Sequence, residues 1–249
     1  MSDYVEEHML GGLPPHDVVK LPSEGRFYSH GLSSFKVGYL TARDENLILS
    51  NRENLIDELL RNKIYEKGIN VKELLDCDIE AILIFLRNTS FGSDYEFKVV
   101  DPKTNKKFEA KLSLENITVI PPSIEPNADG LFDIKISTGD VLSCKILTKK
   151  DLDEISKIID SYSNANIAPP TITTRLEKMI VKINNEENRE KIIKFVNSNE
   201  FKISDSKHIQ KTMDGAQPKL NLDRVVKSPS GELVDVKIRF GVDFFRPFF

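Results

Sequence analysis

Within residues 76–114 the spacing of apolar side chains changes from a helical to a strand period, and the rest of the chain is arranged around that change. From residue 79 to residue 86 every position except Glu80 is apolar, which predicts a helix with almost no solvated face. Beyond Phe91-Gly92-Ser93, Tyr95, Phe97 and Val99 alternate with Glu96 and Lys98, and Phe108, Ala110, Leu112 and Leu114 alternate with Glu109, Lys111 and Ser113. Such alternation turns one face of a strand inward. Asp101-Pro102 and Asn105 supply turn residues between the two runs. The stretch reads as a buried helix feeding a β-hairpin.

Upstream, residues 1–20 carry Gly11-Gly12 and Pro14-Pro15 with little periodicity and read as a loose, flexible arm. Residues 21–31 form a turn-rich loop, and Phe35, Val37 and Tyr39 a short strand. Thr41 is placed to cap a helix, with Asp44 three residues on. Leu55, Ile56, Leu59 and Leu60 make a second helical stripe. Downstream, residues 116–120 continue the sheet, and Pro121-Pro122 and Pro126-Asn127 form a rigid connector where the chain is expected to divide. A second hairpin places Phe132, Ile134 and Ile136 opposite Leu142, Cys144 and Ile146, and Thr148 caps the helix that follows. Residues 176–183 fit a helix at their start and extended chain at their end. Helices are expected over 187–196 and from a cap at Ser204-Asp205 to about Met213, ended by Gly215. A third hairpin turns at Pro229-Ser230-Gly231, with Leu220, Leu222 and Val226 on one side and Val234, Val236, Ile238 and Phe240 on the other. The expectation is an α+β protein whose arm, 1–20, precedes two similar halves, 21–120 and 121–249, each a small helical group with β-hairpins.

Composition narrows the class. The 249 residues are 39% hydrophobic and 30% charged, with a formal net charge of −4. That suits a globular chain with a real core and excludes an overall basic footprint for nucleic acid. Two cysteines, Cys77 and Cys144, make no disulfide framework and fit a reducing compartment. No apolar run approaches a membrane span, and the acidic start lacks the layout of a signal peptide. A cytoplasmic protein is expected.

Candidate chemistry is sparse. His8, His16, His30 and His208 lie far apart, without metal-ligand spacing. Cys77 and Cys144 sit in phase with apolar neighbours and read as buried small hydrophobes. Gly11-Gly12 runs into prolines rather than a helix, so no phosphate loop is present. Asp76/Asp78 and Asp151/Asp153 fall at helix starts, where carboxylates favour the dipole. Lys103, Lys106 and Lys107, with Lys98 and Lys111 nearby, make a basic hairpin tip with no aromatic interleaved to stack bases. Neither catalysis, nor a cofactor, nor a metal is expected. The one conspicuous feature is the aromatic end, Phe244, Phe245, Phe248 and Phe249. Each phenylalanine gains about 1.5–3 kcal/mol on burial. The four therefore either close onto the protein's own core as a final strand and plug or form a partner-binding surface.

The pattern resembles the T-even-type phage baseplate hub subunit and hub assembly proteins. Leu21-Pro22-Ser23, Gly25, Tyr28 and Gly31 are similar to that family's opening loop, and Thr41-Ala42 with Asp44-Glu45 to its first helix start. Arg87, Gly92 and Tyr95 resemble its arginine-ended buried helix, glycine and first hairpin strand; Phe244-Phe245 and Pro247 resemble its aromatic ending. The likeness covers roughly residues 20 to 249. Many relatives carry Cys-x-x-Cys pairs at the hairpin tips, like zinc ribbons; here the tips read Asp101-Pro102-Lys103-Thr104 and Ser228-Pro229-Ser230-Gly231. Zinc-ribbon-like hairpins without their cysteines must hold by pairing and packing alone. The resemblance implies a non-enzymatic assembly factor, a chaperone or catalyst for the central hub. It would bind hub or tape-measure proteins transiently in the cytoplasm of an infected bacterium and need not remain in the virion. A structural hub subunit retained in the virion is the alternative, and a nucleic-acid-binding ribbon module a third.

Overall fold

The computed structural model describes residues 13–50 and 54–245. Two antiparallel strands come first, β1 (His16–Lys20) and β2 (Ser34–Gly38), joined by the opening loop. At Gly25 in that loop, φ is +75° and an added Cβ would lie 2.4 Å from the Leu32 carbonyl oxygen, so only glycine fits. Helices α1 (Ala42–Leu49) and α2 (Leu55–Lys63) follow. Thr41 and Asp44 form a reciprocal capping box at the start of α1. Asp44 is also ion-paired to the buried Lys63, which donates to the Tyr39 carbonyl at 3.0 Å. Burial opposes the Asp44 charge, but hydrogen bonds from Lys63 and Thr41 outweigh it and hold the carboxyl below its ordinary range.

Helix α3 (Asp76–Phe91) is the beam of the molecule. Its Ile79, Ile82, Leu83, Ile84 and Leu86 enter a first core with Phe35, Val37, Leu59 and Leu60, while Leu75 and Cys77 at its start enter a second. At the junction Asp78 is 0% exposed. Its carboxylate accepts from the Ser23 amide (2.9 Å), the Ser23 hydroxyl (2.6 Å) and the Tyr28 hydroxyl (2.5 Å), and Tyr28 accepts in turn from the Leu75 amide (2.9 Å). The Tyr28 ring packs against both cores.

From α3 the chain enters the hairpin β3 (Asp94–Val100) and β4 (Lys107–Ser113), then the short β5 (Val119–Ile120). The second core begins with β6 (Phe132–Lys135) and β7 (Val141–Cys144), followed by α4 (Lys149–Asn164) and α5 (Thr171–Met179). A third strand, β8 (Ile180–Ile183), pairs antiparallel with β7, and α6 (Arg189–Val196) and α7 (Ile203–Ala216) close the core. The helix-then-extended reading of 176–183 is the boundary between α5 and β8. An ion cluster ties this half to the first: Lys72 and Lys149 each reach both Asp57 on α2 and Asp153 on α4, at 2.9–3.2 Å.

The end of the chain then returns. Strand β9 (Lys219–Leu220) pairs with β5, and the hairpin β10 (Asp223–Lys227) and β11 (Leu233–Lys237) follows. Leu222, Ile238, Phe244 and Phe245 belong to the first core.

The α+β class stands, and several boundaries move. Residues from both sides of the expected division at 120 share the first core, because Leu222, Ile238, Phe244 and Phe245 pack there. A hairpin has one apolar face to bury, and its sequence does not say which neighbour receives it. Of the expected arm, His16–Lys20 is a paired strand with Val19 buried, its backbone groups satisfied by β2; residues 1–12 lie outside the described residues. Asp205 does not cap α7; it accepts from the Ser137 amide (3.0 Å) and hydroxyl (2.7 Å), and Lys202 occupies the cap position. Gly215 lies inside α7, because the connector packs on it: a Cβ there would sit 2.6 Å from the Ser123 hydroxyl oxygen.

Removing the Asp78 carboxylate leaves the buried Ser23 amide and hydroxyl and the half-buried Tyr28 hydroxyl without their acceptor, each costing about 1–3 kcal/mol. Asp78→Ala should therefore lower unfolding free energy in urea by at least about 3 kcal/mol, and Ser23→Ala, which removes the hydroxyl's bond to Asp78 and its acceptance from the Gly25 amide, by about 1–3 kcal/mol.

Candidate partner-binding surface

The C-terminal return is held by Arg87, which is 0% exposed in the last turns of α3. Its guanidinium donates to three carbonyls: Gly92 (2.5 Å), Asp94 (2.8 Å) and Phe244 (3.0 Å). It also lies over the rings of Tyr95 and Phe244, at 5.3 and 5.6 Å from their centroids. One side chain thus fixes the end of α3, the start of β3 and the last described turn. Burial pulls the Arg87 pKa down, opposed by Tyr95, Asp94 and Glu96. Around it Tyr95, Phe240, Phe244 and Phe245 make edge-on and tilted aromatic contacts.

Of the two readings of the aromatic end, closure onto the protein's own core describes Phe244 and Phe245. Phe244 and Phe245 are buried in the first core, on a 3-10 helix (Val242–Phe245) rather than a strand, so they present no free surface. Phe248 and Phe249 lie outside the described residues.

A groove with half-buried apolar walls lies between the two outer hairpins. Their inner faces, Tyr95, Phe97, Val99 and Leu112 on one and Val236, Ile238 and Phe240 on the other, line a common groove of about 1020 Å3. Its rim carries charges of both signs, including Glu96, Lys98, Asp235, Lys237 and Arg239. At the far end the tips meet: Asp101 accepts from the Ser230 amide (3.1 Å) and hydroxyl (2.8 Å). The hairpins are therefore held by more than pairing and packing, and sequence reasoning, which read Asp101 only as a turn residue, missed this contact. The tip donors Asp101, Ser228 and Ser230 include no thiolate or imidazole, a set that does not fit zinc.

The remaining candidates are dispersed. His16 sits in β1, His30 stacks on Tyr28, His208 lies on α7, and His8 lies outside the described residues. Cys77 and Cys144 are buried, and burial pushes the Cys77 thiol up and that of Cys144 to about 12. Among the described residues no group of three His, Cys, Asp or Glu is placed to hold a metal ion, and no helix is long and apolar enough to cross a membrane. Lys103, Lys106 and Lys107 are exposed at the first tip, but Lys111 is paired with Asp94 (2.8 Å) and Lys98 stands opposite Glu109.

Compared with known proteins, residues 14–246 match the family described as T4 bacteriophage base plate protein. The chain belongs to that family. No curated protein and no solved structure matches. The family match runs from β1 through both cores to the Arg87-held return, so the groove and its supports all lie inside it. This is a phage baseplate-associated protein, and its partners are phage structural proteins.

Two outcomes follow from the charges of α3. Arg87→Met leaves three carbonyls without their donor; it should cost about 2–4 kcal/mol and open the last turn to protease cleavage in limited digestion. Glu80, half-buried, is pushed up to about 7 from 4.5 by burial and by Asp76, with Lys237 opposing. The folded state then keeps a proton that the unfolded chain has lost, so stability falls as pH rises from about 4.5 through 7. Glu80→Gln should flatten that part of the urea-midpoint profile and raise stability at about pH 8.

Proposed function

We propose that this baseplate protein is a non-enzymatic assembly factor for the central hub, binding a hub or tape-measure protein transiently through the hairpin groove. The observation that carries the reading is the groove itself: a cleft of about 1020 Å3 with half-buried aromatic and aliphatic walls on a member of the baseplate family. A groove with apolar walls and a charged rim has the anatomy of a protein contact site. A hub or tape-measure segment laid in it would be shielded from water until later subunits take its place. The outer parts of both hairpins belong to neither core, so they can yield to a partner without disturbing the rest, which suits transient binding. The non-enzymatic reading draws support from the dispersed histidines and from thiols that burial keeps protonated. The place of action is the infected bacterium's cytoplasm, during tail construction.

Two measurements test this. Co-expression with hub and tape-measure proteins should give a soluble complex; finding none would sink the proposal. Quantitative mass spectrometry of purified virions should find the chain absent or far below the copy number of baseplate subunits. Stoichiometric retention would make it a structural subunit instead.

A further inference from the structure

The two outer hairpins are fixed at their bases by Arg87 and the first core, and joined at their tips through Asp101. That carboxylate is 2% exposed and accepts four hydrogen bonds. Two come from its own turn, the Lys103 amide (2.9 Å) and Thr104 amide (3.2 Å), and two from Ser230 on the opposite hairpin. The Ser230 hydroxyl is itself 3.0 Å from that of Ser228, which is also buried. Between base and tip lie Phe97, Val99, Phe108, Ala110, Val226, Val234 and Val236, buried or half-buried yet part of neither core. A two-stranded hairpin is marginal on its own, and the two hairpins face each other across the groove.

We propose that Asp101 and Ser230 form a latch that holds the two hairpins closed over the groove, and that its release separates them and presents their apolar inner faces. The parts have the properties a latch requires. Both halves sit on tight turns: Asn105 donates its amide to the Asp101 carbonyl (2.8 Å), and Ser228 donates its amide to that of Glu232 (2.8 Å). Hydrogen bonds to an ionised acceptor are stronger than neutral ones, and burial, which opposes the charge, is outweighed here by the Ser230, Lys103 and Thr104 donors, which hold the carboxyl down to about 2. The contact is small, a single side chain against a single residue, so it can break without unfolding either core. Its use in partner binding rests on the assembly reading above; the latch itself does not.

Hydrogen exchange on the full chain tests it, read by mass spectrometry together with binding of the apolar dye 1-anilinonaphthalene-8-sulfonate. Ser230→Ala leaves the Asp101 turn intact and removes one charge-assisted bond. Exchange should rise roughly tenfold in both hairpins, β3–β4 included, with α3 and α7 unchanged and dye binding increased. Acceleration confined to β10–β11 would mean that Ser230 serves only its own turn, and would overturn the latch. Asp101→Asn is the second variant: it keeps an acceptor for the turn but weakens the cross-hairpin bonds, and no change in β10–β11 exchange would also overturn the proposal. Neither readout uses a partner, so failure of the latch and failure of the assembly reading remain separate results.

Discussion

The carboxylate of Asp78 is taken out of water at the start of α3, and among the described residues no lysine or arginine forms a salt bridge with it. It is balanced by the Ser23 amide and hydroxyl, the Tyr28 hydroxyl and the positive end of the helix itself. A buried charge is tolerable only when every lone pair finds a donor, and that requirement fixes the opening loop against α3 in one geometry. Because Tyr28 packs on both cores and α3 enters both, the same few bonds set one core's position relative to the other. The other connections, from the Asp57–Lys72–Asp153–Lys149 cluster to the β5–β9 pair, are built around that junction.

Buried polar groups recur wherever separate pieces of chain meet. Lys63 and Asp44 join α1 to α2, Arg87 gathers α3, β3 and the last turn, Asp205 holds the β6–β7 turn to α7, and Asp101 joins two hairpin tips. Apolar contact is non-directional and would permit these pieces to slide. A satisfied hydrogen-bond set permits one arrangement, because any other leaves a donor or acceptor unpaired.

Stability is accordingly uneven across the molecule. The helices and inner strands are committed to two cores, while the outer hairpins depend on each other and on a few tip bonds. Regions with few buried apolar contacts open at low cost. On the function proposed above, the two cores form the body and the outer hairpins the part that yields to a partner.

Much of this was legible from the residues alone. The 79–86 apolar run, the alternation after Gly92, the Thr41 and Thr148 caps and the three hairpins follow from local rules, because helix and strand periods and capping act over a few residues. The family likeness was carried by the order of Ser23, Tyr28, Arg87, Gly92, Tyr95 and Phe244, residues that the structure places in the junction and in the Arg87 cluster. What only the tertiary structure decided was which pieces pair across long separations. The return of Leu222, Ile238, Phe244 and Phe245 to the first core, the pairing of β1 with β2 and the 129-residue reach from Asp101 to Ser230 leave no local trace. An apolar face records that it must be covered, and a carboxylate that it must be satisfied, but the identity of the partner emerges only when distant segments compete for the same surface in three dimensions.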